Sequence, residues 1–256
     1  MGFRETAIRA AKEAGKIHLK YFRKKFEIRY KAYKHNRVTI ADTEAEKKIV
    51  SEIRKEYPSH NILAEEAEYP RTGSEYLWVI DPLDGTNNFS KGIPVFCVSI
   101  ALAKDNELIL GVIYDPTRNE LFVAEKGKGA FLNGKRIKVS GSSQLHDSIL
   151  LTGFYYDRGK PMFSTLASMQ EFFLKDVIGI RCTGSAALDL CSVASGRVDG
   201  FWEFKLNAWD FAAGKLLVEE ANGKVTGRKG EGIAIGESYI VASNKKIHGK
   251  MLDILK

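Results

Sequence analysis

Two aspartates lie close together where an apolar run, Trp78–Ile80, meets Asp81, a proline, Asp84 and then Gly85. Proline fixes one backbone dihedral and removes a hydrogen-bond donor, whereas glycine permits backbone conformations that a Cβ opposes. This composition predicts a stiff turn at a strand end that holds the two carboxylates near each other. The same residue types are typical of an ordinary surface β-turn, so the segment alone leaves both interpretations open.

Further acids occur where other apolar runs end. Glu65 follows the short run Asn61–Ala64, and Asp42 and Asp210 each stand where a helix is predicted to begin. A purely structural interpretation is available for each of them, because an acid stabilises a helix N-terminus and Glu65 can simply be solvated. Taken with the pair in the turn, however, these acids indicate several carboxylates that converge on one point.

Converging carboxylates predict a particular chemistry. Acids that cluster without a partner raise one another's pKa and strain the fold. A hard divalent cation removes this problem, and Mg²⁺ prefers oxygen ligands while it keeps several waters. Such a site can activate water, polarise a phosphoryl oxygen and stabilise a departing alkoxide. The acids therefore favour metal-assisted hydrolysis of a phosphate ester.

Four segments resemble the inositol monophosphatase family in order and spacing. They are Ala64–Glu66, Trp78–Thr86, Gly184–Cys191 and Trp209–Gly214. The short chain and its region Tyr155–Pro161 are most similar to archaeal members that act as both inositol monophosphatases and fructose-1,6-bisphosphatases. The resemblance implies a mixed α/β (α+β) fold, a layered α-β-α-β-α sandwich of the sugar phosphatase type, which is usually a homodimer.

The resemblance also implies roles for individual residues. Two Mg²⁺ ions, and a weaker third, would be held by Glu65, Asp81, the Leu83 carbonyl, Asp84 and Asp210. The catalytic residues would be Asp42, Glu65 and Thr86, with Thr86 hydrogen-bonded to Asp42 so that it orients and helps to deprotonate a metal-activated water. That water would attack in line with the departing oxygen.

The substrate contacts implied by the resemblance are Asp84, Gly85, Thr86, Arg181, Ala186 and Lys205. The amides of Gly85 and Thr86 would cradle the phosphate. Arg181 and Lys205 lie at the edges of apolar strands, where an unpaired charge is costly, although ordinary surface charges fit as well. The well-studied animal members have Glu-x-Gly where this chain has Glu203-Phe204-Lys205, and Asn207 replaces a histidine. A lysine near the sugar favours a second anionic group, such as that of fructose 1,6-bisphosphate.

The elements that must position these residues follow from the periodicity of apolar residues. An amphipathic helix is predicted at the N-terminus, and a second over Thr43–Tyr57 with a capping box formed by Thr43 and Glu46. Hairpins dominate the first half of the chain and alternating strands and helices the second, which predicts mixed sheets with covering helices. We expect a single domain over residues 1–256, with a metal-site half (1–140) and a substrate half (141–256).

The composition excludes several classes of protein. The chain has 256 residues, of which 44% are hydrophobic and 28% charged, so disorder is not expected. No stretch approaches the roughly 20 apolar residues of a membrane helix, and no membrane partner is expected. Cys97, Cys182 and Cys191 are widely spaced among apolar neighbours, which is typical of buried core thiols in a reducing cytoplasm.

The positive charge is local. Nine basic residues and one acid lie between Lys16 and Arg37, which gives this basic strip +8 and leaves 30 − 31 = −1 for the rest of the net +7. The strip is either a solvated helix face or an anion-binding patch. Binding to a nucleic acid or transcription complex through the strip is therefore one alternative to an inositol or sugar phosphatase. A second alternative keeps the enzyme class but changes the substrate to a 3′-phosphoadenosine nucleotide. We expect a small phosphorylated sugar or inositol as substrate, and no nucleic acid as the main partner.

Overall fold

The computed structural model describes residues 2–25, 27–30, 37–154, 158–236 and 238–256. Within these ranges the helices are α1 (Phe3–Tyr21), α2 (Ile40–Glu56), α3 (Thr86–Ser90), α4 (Lys160–Leu174), α5 (Ala186–Ala194), α6 (Ala208–Glu220) and α7 (His248–Leu255). The strands are β1 (Ile28–Tyr30), β2 (Arg37–Thr39), β3 (Asn61–Ala64), β4 (Tyr76–Asp84), β5 (Cys97–Lys104), β6 (Glu107–Asp115), β7 (Glu120–Glu125), β8 (Gly129–Leu132), β9 (Lys135–Arg136), β10 (Ile149–Thr152), β11 (Gly179–Arg181), β12 (Gly200–Leu206), β13 (Lys224–Thr226) and β14 (Ser238–Ser243). None of these helices combines the length and apolarity needed to traverse a bilayer.

Two larger sheets and one hairpin organise the described strands. The first sheet has seven strands in the order β3-β4-β5-β6-β7-β8-β9, and only its β3–β4 pair is parallel. The second has five strands in the order β11-β10-β12-β14-β13, in which β10 runs parallel to both of its neighbours. The remaining pair, β1 and β2, forms a separate antiparallel hairpin. The division into two halves near Gly141 stays a prediction.

The helices pack against these sheets in a layered order. Helices α1 and α2 cover one face of the seven-stranded sheet, α5 and α6 lie between the two sheets, and α4 and α7 cover the far face of the five-stranded sheet. In β4, Trp78 and Ile80 face α1 and α2 while Val79 faces α5 and α6, as the two-residue period of a strand requires. The predicted α-β-α-β-α sandwich is therefore confirmed.

The first two helices explain how the N-terminal layer forms. Four alanines on one face of α1 (Ala7, Ala10, Ala11 and Ala14) are fully buried, which lets α1 approach α2 and the sheet closely. Helix α2 begins three residues earlier than predicted, and its capping box is formed by Thr39 and Asp42, not by Thr43 and Glu46. The earlier pair is favoured because Thr39 ends β2 in an extended conformation, as an N-cap residue must.

The segment around Asp81 differs from the prediction in its secondary structure. The predicted turn is part of β4, which continues through Asp81 to Asp84 beside β5 and shifts its register between these two residues. Proline within a strand is tolerated at such an irregularity, because the lost N–H then leaves no partner unpaired. The two aspartates are thus held by a paired strand and not by a free loop.

Other predictions can be compared with the structure directly. Hairpins are present in the first half as predicted, and in the one between β5 and β6 the turn residues Asp105 and Asn106 both have a positive φ. Cys97 and Cys191 are buried as predicted, but Cys182 is exposed because it follows the edge strand β11. Part of the region Tyr155–Pro161 and of the basic strip (residues 155–157, 26 and 31–36) lies outside the described residues.

Candidate active site

The ends of several elements meet around one cavity of about 250 Å³. They are the C-terminal ends of β3, β4 and β12, and the N-terminal ends of α3, α5 and α6. The predicted residues that line the cavity are Glu65, Asp81, Leu83, Asp84, Gly85, Thr86, Ala186 and Asp210. Helix N-termini carry partial positive charge, so their convergence here favours an anionic ligand.

Three of the acids that line the cavity, Asp81, Asp84 and Asp210, are each held by a donor of the protein. Asp81 accepts a hydrogen bond at Oδ1 from the Leu83 amide at 2.9 Å, and Asp210 accepts one at Oδ2 from the Asn207 amide at 2.7 Å. Asp84 accepts two at Oδ2, from the Ser185 hydroxyl at 2.6 Å and from the Ala187 amide at 2.8 Å. Since a carboxylate has two oxygens, this anchoring leaves the other oxygen of each acid to bind a ligand.

The pKa values of these acids are all raised, by burial and by the charges of one another. Burial raises the pKa of Asp81 well above its ordinary value, and the charges of Glu65, Asp84 and Asp210 raise it further. Burial likewise raises the pKa of Asp84 to about 6, against the opposing hydrogen bonds from Ser185 and Ala187. The pKa of Asp210 is raised by burial first and then by Glu65 and Asp84. Such mutual repulsion is relieved when a cation binds between the carboxylates.

The donor set fits Mg²⁺. All the candidate ligands are oxygens, four from carboxylates and one from the Leu83 carbonyl, and this is the chemistry that Mg²⁺ prefers. In the described part of the chain, no three Asp, Glu, His or Cys side chains stand close enough to enclose a metal by themselves. Mg²⁺ does not require such a cage, because it commonly binds one or two carboxylates and takes its other ligands from water and substrate phosphate.

Thr86 and Asp42 are in direct contact. The Thr86 hydroxyl lies 2.7 Å from Asp42 Oδ1 and 2.9 Å from the Leu83 carbonyl oxygen, so it can donate its proton to either. Asp42 Oδ2 accepts hydrogen bonds from the Thr39 amide at 2.7 Å and from the Thr39 hydroxyl at 2.6 Å. Burial raises the pKa of Asp42 to about 6, although the hydrogen bonds from Thr39 and Thr86 oppose the shift. Asp42 therefore does not line the cavity itself and contacts it only through Thr86.

Gly85 places Thr86 at the start of α3. Its φ is +95°, a left-handed conformation that favours glycine, and a Cβ there would lie 2.7 Å from the Val95 carbonyl oxygen. The chain can therefore turn from β4 into α3 within one residue, with Gly85 and Thr86 both lining the cavity. The predicted cradling of a phosphate by their amides is compatible with this turn and stays a prediction.

Of the predicted substrate contacts beyond the phosphate, the structure brings Ala186 to the cavity but not the two basic residues. Arg181 is exposed at the end of β11, an edge strand, and its guanidinium donates to the carbonyl of its own neighbour Ile180 at 3.1 Å. Lys205 lies in a bulge of β12 with a φ of +68°, which turns it away from the regular alternation of the strand. Neither residue lines the cavity.

Several cavity residues were not assigned a role from the sequence. Ser185 anchors Asp84 and also caps α5, and the Asn88 amide donates to the carbonyls of Val95 and Thr183 at 2.9 and 2.8 Å. Two further acids that line the cavity, Asp189 and Glu203, were also left without a role. Glu203 belongs to the segment Glu203-Phe204-Lys205, which stands where the animal members have Glu-x-Gly. That difference from the animal motif is the sequence signal that could have drawn attention to Glu203.

Comparisons with known proteins agree with this geometry. The model of the inositol monophosphatase family matches residues 2–256. A relative from Haemophilus influenzae, "Nus factor SuhB", is 42% identical over 252 residues and covers 98% of this chain and 94% of its own length. The structure is similar to that of inositol monophosphatase from Anabaena (Nostoc) sp. PCC 7120, with a TM-score of 0.87, 41% identity, and coverage of 99% and 94%. It is also similar to an "IMPase/NADP phosphatase complexed with Mg2+ and phosphate", with a TM-score of 0.83, 26% identity, and coverage of 95% and 90%.

Proposed function

Because the chain belongs to the inositol monophosphatase family, we propose that it is a Mg²⁺-dependent phosphatase acting on phosphate monoesters of inositol and small sugars. One observation carries the proposal. The four carboxylates predicted to bind metal line a single cavity together with Leu83, and the hydroxyl of Thr86, which also lines it, is hydrogen-bonded to a buried carboxylate, Asp42. Oxygen donors for a cation and a route for a proton are thus present together.

The proposal assigns Mg²⁺ to Glu65, Asp81, Leu83, Asp84 and Asp210. Support comes from the oxygen-only donor set and from the related structure that was solved with Mg²⁺ and phosphate. When bound, Mg²⁺ supplies the positive charge that acidifies a water and stabilises both the phosphoryl group and the departing oxygen. The number of ions, two with a weaker third, stays a prediction of the resemblance.

The residues of the chain then handle the proton and the orientation of the water. A water that donates a hydrogen bond to Thr86 Oγ1 can release its proton to Thr86 as the hydroxyl proton of Thr86 moves to Asp42 Oδ1. This transfer requires that Asp42 be ionised, and it leaves a hydroxide aligned for in-line attack on phosphorus. Glu65, the third residue of the predicted catalytic set, lies close enough for its charge to raise the pKa of Asp42.

A phosphate-release panel tests the function. The purified chain is assayed with inositol 1-phosphate, fructose 1,6-bisphosphate and a 3′-phosphoadenosine nucleotide while Mg²⁺ is varied. We expect hydrolysis of inositol 1-phosphate that is lost with EDTA and restored by Mg²⁺. Activity on fructose 1,6-bisphosphate stays a prediction of the resemblance to archaeal members, and preference for the nucleotide would support that alternative. No release from any of the three with Mg²⁺ present would refute the proposal.

A second candidate function is binding to a transcription complex. The observation that favours it is the name "Nus factor SuhB" of the relative from Haemophilus influenzae and of several others more than 40% identical to this chain. Within the described part of the basic strip, Arg23 and Lys24 join Lys91 around an open pocket. Binding through such residues weakens steeply with salt, because phosphate contacts release counterions. A mobility-shift assay with RNA at physiological salt tests it, and the absence of a complex would remove RNA as the partner.

We also retain the predicted homodimer. Four large apolar side chains of α4 are exposed, Phe163 by 64%, Leu166 by 48%, Phe173 by 53% and Leu174 by 70%, and the first three recur at helical spacing. Apolar side chains grouped on one helix face mark a surface that a partner covers. Light scattering of the eluted protein tests the prediction, and a mass of one chain, 28.6 kDa, at micromolar concentration would contradict it.

A further inference from the structure

A buried acid of α2, Glu46, contacts the segment that carries one of the predicted metal ligands. Glu46 is 2% exposed and does not line the cavity, so it is not itself a candidate ligand. Its Oε2 accepts a hydrogen bond from the Glu66 amide at 2.8 Å, and its Oε1 accepts one from the Tyr69 hydroxyl at 3.1 Å. A buried carboxylate is costly unless hydrogen bonds satisfy it, and both oxygens of Glu46 are satisfied by this one segment.

The amide that Glu46 binds is next to Glu65. Strand β3 ends at Ala64, and residues 65–75 form neither a helix nor a strand before β4 begins at Tyr76. Glu65 is therefore the first residue beyond the support of the sheet, and the direction of its carboxylate depends on what holds the segment. Because the Glu66 amide belongs to the planar peptide unit that follows Glu65, its hydrogen bond to Glu46 fixes the backbone beside Glu65.

The same helix supplies a second contact to the segment. The guanidinium of Arg54, which also belongs to α2, lies over the ring of Tyr69 at 5.2 Å from its centroid. Burial raises the pKa of Glu46, and the charge of Glu65 adds to the shift while the hydrogen bonds from Glu66 and Tyr69 oppose it. The segment is thus held to α2 by a hydrogen-bonded acid and a stacked cation, with Glu65 close to that acid.

Helix α2 joins this anchor to the proposed route of the proton. Asp42 and Glu46 are four residues apart, so they lie on the same face of α2. Asp42 contacts the site through Thr86, and Glu46 contacts it through the segment of Glu65. One helix therefore fixes the position of the hydroxyl that would orient the water relative to a ligand of the metal.

We propose that Glu46 is a positioning residue for Glu65. Its hydrogen bonds hold the segment after β3, so that the Glu65 carboxylate is in place at the cavity before Mg²⁺ binds. The inference rests on the proposed function, because it takes Glu65 as a metal ligand. A ligand that is already ordered binds the ion without the cost of fixing the segment. Loss of such an indirect contact lowers the affinity for a metal by about 10- to 100-fold.

Two substitutions of Glu46 separate its position from its charge. Binding of Mn²⁺, which takes the same oxygen ligands as Mg²⁺, is measured by electron paramagnetic resonance. Glu46→Leu removes both acceptors and should weaken binding by about tenfold or more. Glu46→Gln removes the charge but keeps an oxygen for the Glu66 amide, so binding should stay within about threefold of the wild type. The Mg²⁺ concentration for half-maximal phosphate release should rise in Glu46→Leu, with a smaller change in kcat at saturating Mg²⁺.

The matched control is Asn61→Ala, at the other end of the same segment. Asn61 is buried, accepts from the Thr72 amide at 2.8 Å and donates to the Ser74 carbonyl at 2.7 Å. Its loss should lower the thermal transition, as that of Glu46 does, but leave the affinity for Mn²⁺ unchanged. If Glu46→Leu does not fold, Glu46→Asp provides the same test, because a side chain one methylene shorter cannot reach both of its partners.

A double substitution tests whether Glu46 acts through Glu65. In a chain that carries Glu65→Ala, Glu46→Leu should weaken binding of Mn²⁺ by less than a further twofold or so, about the limit of additivity, because the ligand it positions is gone. Additive losses, unchanged binding in folded Glu46→Leu, or equal weakening by Glu46→Gln and Glu46→Leu would overturn the inference. Failure of the proposed function is distinguishable, since the wild-type chain would then release no phosphate at any concentration of Mg²⁺.

Discussion

Asp42→Asn separates the two roles that the structure gives to Asp42. The carboxylate accepts from Thr39 at Oδ2, which caps α2, and from Thr86 at Oδ1, which is the proposed route of the proton. Asparagine has the same shape but only one oxygen. Because the Thr39 amide can only donate, the asparagine oxygen must remain toward Thr39, and its NH₂ group then faces Thr86.

The expected magnitudes follow from that orientation. The Thr86 hydroxyl can still be satisfied, since it accepts from the new NH₂ group and donates to the Leu83 carbonyl 2.9 Å away. The free energy of unfolding should therefore change by less than about 1 kcal/mol. The proton acceptor is lost, however, and removal of a general base costs about 10²- to 10³-fold in kcat/KM.

The assay is Mg²⁺-dependent release of phosphate from inositol 1-phosphate, measured across pH 5 to 8 beside thermal unfolding. For the wild type, kcat/KM should fall as the pH drops through about 6, because Asp42 then binds a proton and cannot accept another. Asp42→Asn should show a weaker dependence, because Asp84, whose pKa is also about 6, still titrates in this range. Thr39→Ala is the matched control: it should cost about 1 kcal/mol of stability by weakening the cap and leave kcat/KM within about threefold. A folded Asp42→Asn chain with near wild-type activity would refute the proton route.

Three further predictions address the scaffold. Gly85→Ala should lower the free energy of unfolding by about 2–4 kcal/mol, because φ is +95° and the new Cβ would meet the Val95 carbonyl oxygen at 2.7 Å. Thermal unfolding of the variant beside the wild type measures this loss of stability. Ser185→Ala should lower kcat/KM about tenfold by releasing Asp84 Oδ2, with about 1 kcal/mol lost from the α5 cap, and unchanged turnover would contradict this role. The pKa of Glu52 is lowered to about 2, mainly by two lysines, so its ionised form stabilises the fold above pH 4.5 and that contribution is lost as the pH falls toward 2. Glu52→Gln should cost about 1–2 kcal/mol in urea unfolding at pH 7, and much less at pH 3.

Much of the fold could be predicted from local patterns. The amphipathic helix at the N-terminus and the mixed sheets with covering helices are present as predicted, because the period of the apolar residues marks such elements in the sequence. The hairpin of β1 and β2 and the short helix α3 were not predicted. Both are brief, and α3 depends on the conformation of Gly85 and its packing against Val95 and Phe96, which a local pattern does not contain.

The residues of the candidate site could likewise be predicted only where a local sequence pattern marks them. Acids that follow apolar runs, such as Glu65 and Asp81, could be found because the end of an apolar run is visible in the sequence, even though β4 itself continues past Asp81. Arg181 and Lys205 share that signature and yet do not line the cavity, because the reach of a side chain depends on edge position and on a bulge. Asp189 could not be singled out, because it lies within the first turn of α5 and reaches the cavity only through the way that helix packs.

The structural and functional interpretations of Asp42 and Asp210 are not alternatives. Each is the third residue of its helix and closes a capping box with the N-cap residue, Thr39 or Asn207. In both, the N-cap amide holds one carboxylate oxygen at 2.7 Å, which fixes the direction of the other. For Asp42 that other oxygen meets Thr86, and for Asp210 the carboxylate lines the cavity. The hydrogen bond of the cap therefore orients the free oxygen of the acid. An acid at the third position of a predicted helix can thus cap the helix and present its other oxygen to the site at the same time.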